Sequence, residues 1–470
     1  MRILRLSYVL GICAAIVGLA ACNSSSSSFV NGASSAQPAT VSSPSPIQHV
    51  VIVVQENRTF NDFFATYPGG DGTTIAQAEP NPNCSPPIKY EQTVYLTKMP
   101  LVLKTDLDHK FSGYFTAWDN GKLDGFDKVP NGQGIPECLY PYQYTDPADI
   151  QPYWSMAQQY TLAEHMFNTQ GSDSFTAHQD LISGGTLVST GRSLVDLPSC
   201  SGSKCKWGCD APAGTHTSLI TQNDNYIKYR AKGPFPCSKD FKLSYPTLRD
   251  LLDAKSITWK YYVPPMSETN GKLFNAFDAI AAVRYGSEWS TNISSPETNV
   301  ITDAEYGSLP EVSWVVPDAA NSDHPGEGQD TGPAWVASVV NAIGESSYWN
   351  STAIVVVWDD WGGLFDNKGL LDPKKYGYGG LGLRVPAIII SPYAKAGYIS
   401  TTQYEFGSIL KYIEQNWNLG SLGTTDQRAN SIIDCFNYNQ SPIPFQPIQS
   451  SRNASYFLHE KHSNRGPDSD

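Results

Sequence analysis

The sequence predicts an α/β fold, a three-layer α/β/α arrangement built on a mostly parallel central sheet with loop-rich insertions. Two observations carry this prediction. Continuous apolar, β-branched runs recur along the chain, as in strands buried on both faces. Segments with helical spacing separate them, and that alternation is how a parallel sheet covered on both sides is written.

The runs are His49 to Val54 (HVVIVV), Thr258 to Val263 (TWKYYV), Val312 to Val316 (VSWVV), Ala353 to Trp358 (AIVVVW) and Val385 to Ile390 (VPAIII). Between them, Val336, Val339, Val340 and Ile343 fall at i, i+3, i+4 and i+7, and Phe406, Ile409, Leu410, Ile413 and Trp417 extend the same pattern. Pro246 opens a further helix over Pro246 to Ala254, since proline suits the first helical turn. Loop-rich insertions are expected near Ile75 to Lys98 and Thr190 to Lys242.

The 470 residues divide into four parts: a leader over 1–22, a Ser/Pro-rich tether over 23–46, a catalytic domain over 47–445 and a polar tail over 446–470. Arg2 and Arg5 precede an apolar run from Tyr8 to Leu19, which is followed by Leu19-Ala20-Ala21-Cys22. That run is too short to span a bilayer comfortably, and small residues close it, as in a cleaved export signal. The Leu-Ala-Ala-Cys ending resembles the bacterial lipobox and implies an acylated Cys22 anchoring the chain to a membrane. The expected location is the cell envelope, at the periplasm or outer membrane face, or outside the cell if Cys22 carries no lipid.

Apolar residues make up 40% and aromatics 12%, so a packed core is expected. Lys plus Arg number 32 against 45 acids, a net charge of -13; removing a leader whose only charges are Arg2 and Arg5 takes it to about -15. Binding nucleic acid through bulk charge is excluded on that balance. Export places Cys84, Cys138, Cys200, Cys205, Cys209, Cys237 and Cys435 in an oxidising compartment, with up to three disulfides and one free thiol. The Cys205 and Cys209 spacing also occurs at zinc sites, but only the lone His216 lies nearby, so disulfides are favoured.

Two strand runs end in acids. HVVIVV leads through Gln55 into Glu56-Asn57-Arg58, and AIVVVW leads into Asp359-Asp360-Trp361-Gly362-Gly363. Parallel strands present their carboxyl ends at one edge, so these residues should meet. A single carboxylate at a strand end is commonly a surface residue. Three buried together would repel without a cation, and their hard oxygen donors suit a divalent metal ion of unknown identity. Gly171-Ser172-Asp173-Ser174-Phe175-Thr176-Ala177-His178-Gln179 adds a hydroxyl that could become a nucleophile near such a metal.

Four blocks, in order, resemble the bacterial phosphoesterase family of phospholipases C and related acid phosphatases: His49 to Phe60, Ser174-Phe175 with His178-Gln179 and Ser183-Gly184, Ser322-Asp323-His324-Pro325, and Trp358 to Asp366. The resemblance implies an alkaline-phosphatase-like core, a metal held by Glu56, Asn57, Asp359 and Asp360, and Ser174 as a nucleophile whose oxygen also faces the metal. It implies that His324, His109 and, less closely, His178 stand near the phosphate, where a histidine can protonate a leaving alkoxide. Family phospholipases often have Thr at the Ser174 position and Asp-Glu in place of Asp359-Asp360. They also carry C-terminal β-rich extensions.

These departures favour an acid-phosphatase-like phosphomonoesterase or broad phosphoesterase. A phospholipase C is the alternative, in which Trp361, Trp118 and Tyr114 could contribute to an aromatic box for choline. The expected partner is therefore a phosphate ester, with phospholipid among the candidates. A surface lipoprotein binding phosphorylated ligands through an inactive site is the reading of another class. A serine esterase fits poorly, since Ser174 lacks the Gly-x-Ser-x-Gly elbow.

Overall fold

The computed structural model describes residues 45–461, apart from 133, 136, 200–206, 213, 233–236, 238–244, 327 and 370–371. The leader, most of the tether, Cys22, Cys200, Cys205 and the end of the tail lie outside the described residues.

The central sheet has eight strands: β1 (His49–Gln55), β2 (Thr161–Ala163), β3 (Trp259–Tyr262), β4 (Ile293–Ser294), β5 (Val312–Val315), β6 (Thr352–Trp358), β7 (Ala387–Ile390) and β8 (Tyr398–Ser400). Their order across the sheet is β4-β3-β5-β1-β6-β7-β2-β8. Strand β1 is central and pairs in parallel with β5 on one side and β6 on the other. All five apolar runs form strands in this sheet, so the predicted α/β class is what the chain adopts. Strand β7 departs from the parallel pattern, pairing antiparallel with both β6 and β2. A strand buried on both faces shows the same apolar run in either direction, so its sequence does not reveal which way it runs.

Helices cover both faces. Ile52 pairs with Trp314, whose indole donates to the Leu181 carbonyl in helix α2 (Ser174–Ser183). Gln55 lies three residues further and so faces the other way. It reaches Tyr153 in helix α1 (Gln151–Gln159) and the Gly332 carbonyl at the start of helix α4 (Gly332–Gly344). Helix α5 (Phe406–Trp417) packs beside α2, as does α3 (Leu248–Ala254), whereas α4 packs beside α1. Helix α3 begins later than expected. Thr247 caps it, with its own N–H held by the Asp250 carboxylate at 2.9 Å, and Pro246 stands outside.

Burial of Val50 to Val54 to 1% exposure or less fixes β1 at the heart of the core, each such side chain contributing about 1.5–3 kcal/mol. The expected loop-rich insertions contain small sheets. Ile75–Ala78 pairs with Gln92–Tyr95, and Arg192–Val195 pairs with His216–Thr221. Disulfides join Cys84 to Cys138 and Cys209 to Cys237, while Cys435 is a buried free thiol. A second apolar cluster, including Leu107, Tyr114, Phe126, Trp361 and Phe365, sits beneath the first insertion. The polar stretch after 445 packs on the domain: Ile448 exchanges two hydrogen bonds with Asn341, and Phe457 lies edge-on to Trp335.

Candidate active site

Because β1 and β6 run parallel in register, with Gln55 opposite Trp358, the residues that follow them leave the sheet side by side. The Asn57 N–H donates to Asp359 Oδ1 at 3.0 Å, and the Asp360 N–H shares that acceptor at 2.7 Å. Asn57 takes a left-handed φ of 56°, which turns its side chain away from the strand direction. The loop after Asp360 returns so close that a Cβ on Gly362 would lie 2.2 Å from the Asn57 carbonyl oxygen, and Gly362 itself has a φ of 59°. Only glycine meets both demands.

Ser174 is the first residue of α2, so its oxygen stands at the positive end of the helix dipole. Ahead of it, the Leu197 N–H donates to Asp173 Oδ2 at 2.8 Å and the Asp196 N–H to Ser172 Oγ at 2.7 Å. These bonds fix the entry of the chain into the helix. Ser174 Oγ lies 3.3 Å from Asp360 Oδ2 and 3.4 Å from Asn57 Oδ1. His178, one turn along the same helix, places Nε2 2.9 Å from Glu56 Oε1 and 3.7 Å from Asp359 Oδ2.

Glu56, His178 and Asp359 thereby offer three ligand atoms within 4.8 Å of one another. His178 stands with the carboxylates rather than with His109 and His324. Glu56, Asn57, Asp359, Asp360 and Ser174 are all fully buried. Burial, and then the neighbouring Glu56 charge, pushes the Asp359 carboxyl up to about 7, while His178 opposes the shift. Burial lowers the His178 pKa, against the pull of Asp359. A buried set of oxygen donors with one imidazole fits a divalent metal ion.

Opposite the carboxylates stand His109 and His324. Each ring directs Nδ1 at a backbone carbonyl 2.6 Å away, Leu107 for one and Pro325 for the other. A carbonyl accepts only, so Nδ1 donates in each ring, and Nε2, facing the Asn57 Nδ2 donor, is left to accept with its lone pair. Both lone pairs meet Asn57 Nδ2, at 2.9 and 3.1 Å. The structure thus brings together all eight residues singled out from the sequence.

The aromatic residues expected around a choline group are not arranged as a box. Trp361 is buried and donates to the His109 carbonyl at 2.8 Å. Tyr114 is buried with its hydroxyl on the Leu381 carbonyl, and half-buried Trp118 packs on Phe115.

The sequence reading gave no role to Arg58 or Asp323. Arg58 is buried, paired with Asp62 at 3.1 Å, and donates to the carbonyls of Asp323 and Leu101. Their only signal was position, each next to a site residue within a motif block.

The Phosphoesterase family profile matches residues 47–420, a span containing every residue of this site. The chain belongs to the Phosphoesterase family. Among the relatives of this phosphoesterase-family chain, a non-hemolytic phospholipase C of Pseudomonas aeruginosa is 24% identical, aligned over 87% of this chain and 60% of the relative. The hemolytic phospholipase C of the same organism is 23% identical over 79% and 53%. Phospholipase C B of Mycobacterium tuberculosis is 24% identical over 85% and 80%. The chain therefore spans little more than half the length of the two Pseudomonas relatives. Among solved structures, an alkaline-phosphatase-superfamily protein from Vibrio parahaemolyticus aligns over 84% of this chain and 75% of its own, with a TM-score of 0.35 and 11% identity. No helix among the described residues is long and apolar enough to cross a membrane.

Proposed function

We propose that this chain is a metal-dependent phosphoric ester hydrolase acting through a Ser174 phosphoenzyme. One observation carries the reading: Ser174 Oγ stands at a helix start, within 3.4 Å of both Asn57 and Asp360, facing a buried group of carboxylates. Glu56, Asn57, Asp359, Asp360 and Ser174 would hold the ion, and His178 offers a further donor. Bound there, a divalent cation would polarise the serine hydroxyl and neutralise charge on the phosphoryl oxygens.

The residues do the rest. Asn57 Oδ1 and Asp360 Oδ2 hold the Ser174 hydroxyl as acceptors, and the helix dipole favours negative charge on its oxygen. As the new Oγ–P bond forms, the Ser174 hydroxyl proton passes to Asp360 Oδ2, its hydrogen-bond acceptor, and the P–O bond to the leaving alcohol breaks. His324 or His109, once protonated at Nε2, delivers that proton to the departing oxygen. Water then attacks the phosphoserine, giving its proton to the histidine that protonated the alcohol, while the P–Oγ bond breaks and Asp360 returns the proton to Ser174 Oγ; two in-line displacements give retention at phosphorus.

Ser174 and the Asp359-Asp360 pair favour a phosphomonoesterase or broad phosphoesterase. The named relatives favour a second reading, a phospholipase C cleaving phosphatidylcholine-type diesters. Comparing rates on a nitrophenyl phosphate and a phosphorylcholine diester separates the two. An inactive phosphate-binding lipoprotein would show neither rate. We further propose export and a lipid anchor at Cys22, on the leader reading alone; an unprocessed chain in a bacterial host would overturn both.

A further inference from the structure

Three site residues are each preceded by a side chain that the reaction does not use: Gln55 before Glu56, Trp358 before Asp359, and Asp323 before His324. Gln55 and Trp358 end strands, where neighbouring side chains point to opposite faces, so both turn away from the site, and Asp323 reaches them from its loop. They converge. Asp323 Oδ2 accepts from Tyr153 Oη at 2.6 Å, Trp358 Nε1 at 3.2 Å and Gln55 Nε2 at 3.3 Å. Gln55 Nε2 also donates to Tyr153 Oη at 3.0 Å and lies 3.1 Å from the Asn321 carbonyl, closing the ring on the loop that carries His324.

The assembly is buried: Gln55, Tyr153 and Trp358 are fully inaccessible and Asp323 is 1% exposed. Asp323 has a φ of 70°, a conformation that costs energy unless its surroundings hold it. Its other oxygen lies 1.9 Å from where a Cβ on residue 332 would stand, so the carboxylate fits here only because that residue is glycine. The Asp323 carbonyl is held as well, by Arg58 Nε at 2.8 Å.

From this convergence, and resting on the phosphoesterase reading above, we propose that Asp323 is a positioning residue. Its Oδ2 ties the His324 loop to the ends of β1 and β6, and so sets the distance between His324 and the proposed metal ligands Glu56 and Asp359. The metal set keeps its own bond from Asn57 N–H to Asp359, which does not pass through Asp323.

Tyr153→Phe and Trp358→Phe each remove one donor to Oδ2 and keep an aromatic ring in place. The experiment measures turnover per active site, with sites counted by the burst of alcohol released on first mixing, and manganese affinity by titration. The expected result is a loss of about 100-fold in turnover per counted site, the scale expected when a reacting group is misplaced by about 1 Å, with manganese affinity held. A merely structural role would lower the number of counted sites and leave turnover per site unchanged; that result overturns the proposal. A wild-type chain without turnover sinks the phosphoesterase reading instead. The positioning claim is then read from inorganic phosphate, which should bind manganese-loaded Tyr153→Phe more weakly than the wild type, and equal binding overturns it.

Discussion

The Asn57 N–H donates to Asp359 Oδ1 across 3.0 Å, joining the ends of two strands 302 residues apart in sequence. The bond follows from the parallel register of β1 and β6, and it puts the Asn57 side chain between Ser174 on one side and the two histidines on the other.

Asp359→Asn should keep the acceptor for the Asn57 N–H but remove a charge from the proposed cation site. Calorimetric titration with a divalent cation is expected to show a large loss of affinity while circular dichroism stays native. Unchanged affinity would remove Asp359 from the ligand set.

With no cation bound, stability should fall as pH rises. The carboxyls of Asp359 and Asp323 are pushed up by burial, to about 7 and about 6. A raised native pKa favours the protonated fold, so this contribution is fully present below about 4 and is lost as pH climbs through 6 to 7. Chelated protein should therefore melt at a higher temperature at pH 5 than at pH 8. Saturating divalent cation should shrink that difference and bind more tightly at pH 8, because protons compete for Asp359. A chelated protein that is more stable at pH 8 would contradict this account.

Gly362→Ala should both destabilise and inactivate. The left-handed backbone alone costs about 1–2 kcal/mol with a Cβ present, and the 2.2 Å approach to the Asn57 carbonyl forces Asn57 to move. Thermal melts and turnover on nitrophenyl phosphate check both effects. Normal turnover with only a lower melting temperature would show that Asn57 tolerates displacement.

His324→Gln and His109→Gln should separate the acid from its neighbour. Nitrophenolate leaves without help, whereas an alkyl alcohol needs a proton. The general acid is the histidine whose loss costs about 10²-fold or more on an alkyl phosphate and little on the nitrophenyl ester. Equal losses on both esters for both variants would argue that neither protonates the leaving group.

Much of this fold was legible because β1 and β6 carry the unbroken apolar runs Val50 to Val54 and Ala353 to Trp358, as strands covered on both faces do. The reversed direction of β7 was not, since burial on both faces erases any mark of polarity. Strands β4 and β8, at two and three residues, are too short to carry a period. In the site, Glu56, Asn57, Asp359 and Asp360 were readable as acids and amide at strand ends. His178 sits four residues after Ser174, a spacing that already places both on one helix face. Asp323 and Tyr153 carried no such mark, because their importance lies in contacts made across 170 residues of chain.

The most direct test of the central claim is to quench the enzyme in acid during turnover and map any phosphorylated peptide. The account predicts phosphate on the peptide containing Ser174, absent in Ser174→Ala, which should retain its fold and metal binding while losing turnover by several orders of magnitude. Phosphate on another residue, or an alanine variant that still turns over at the wild-type rate, would contradict it.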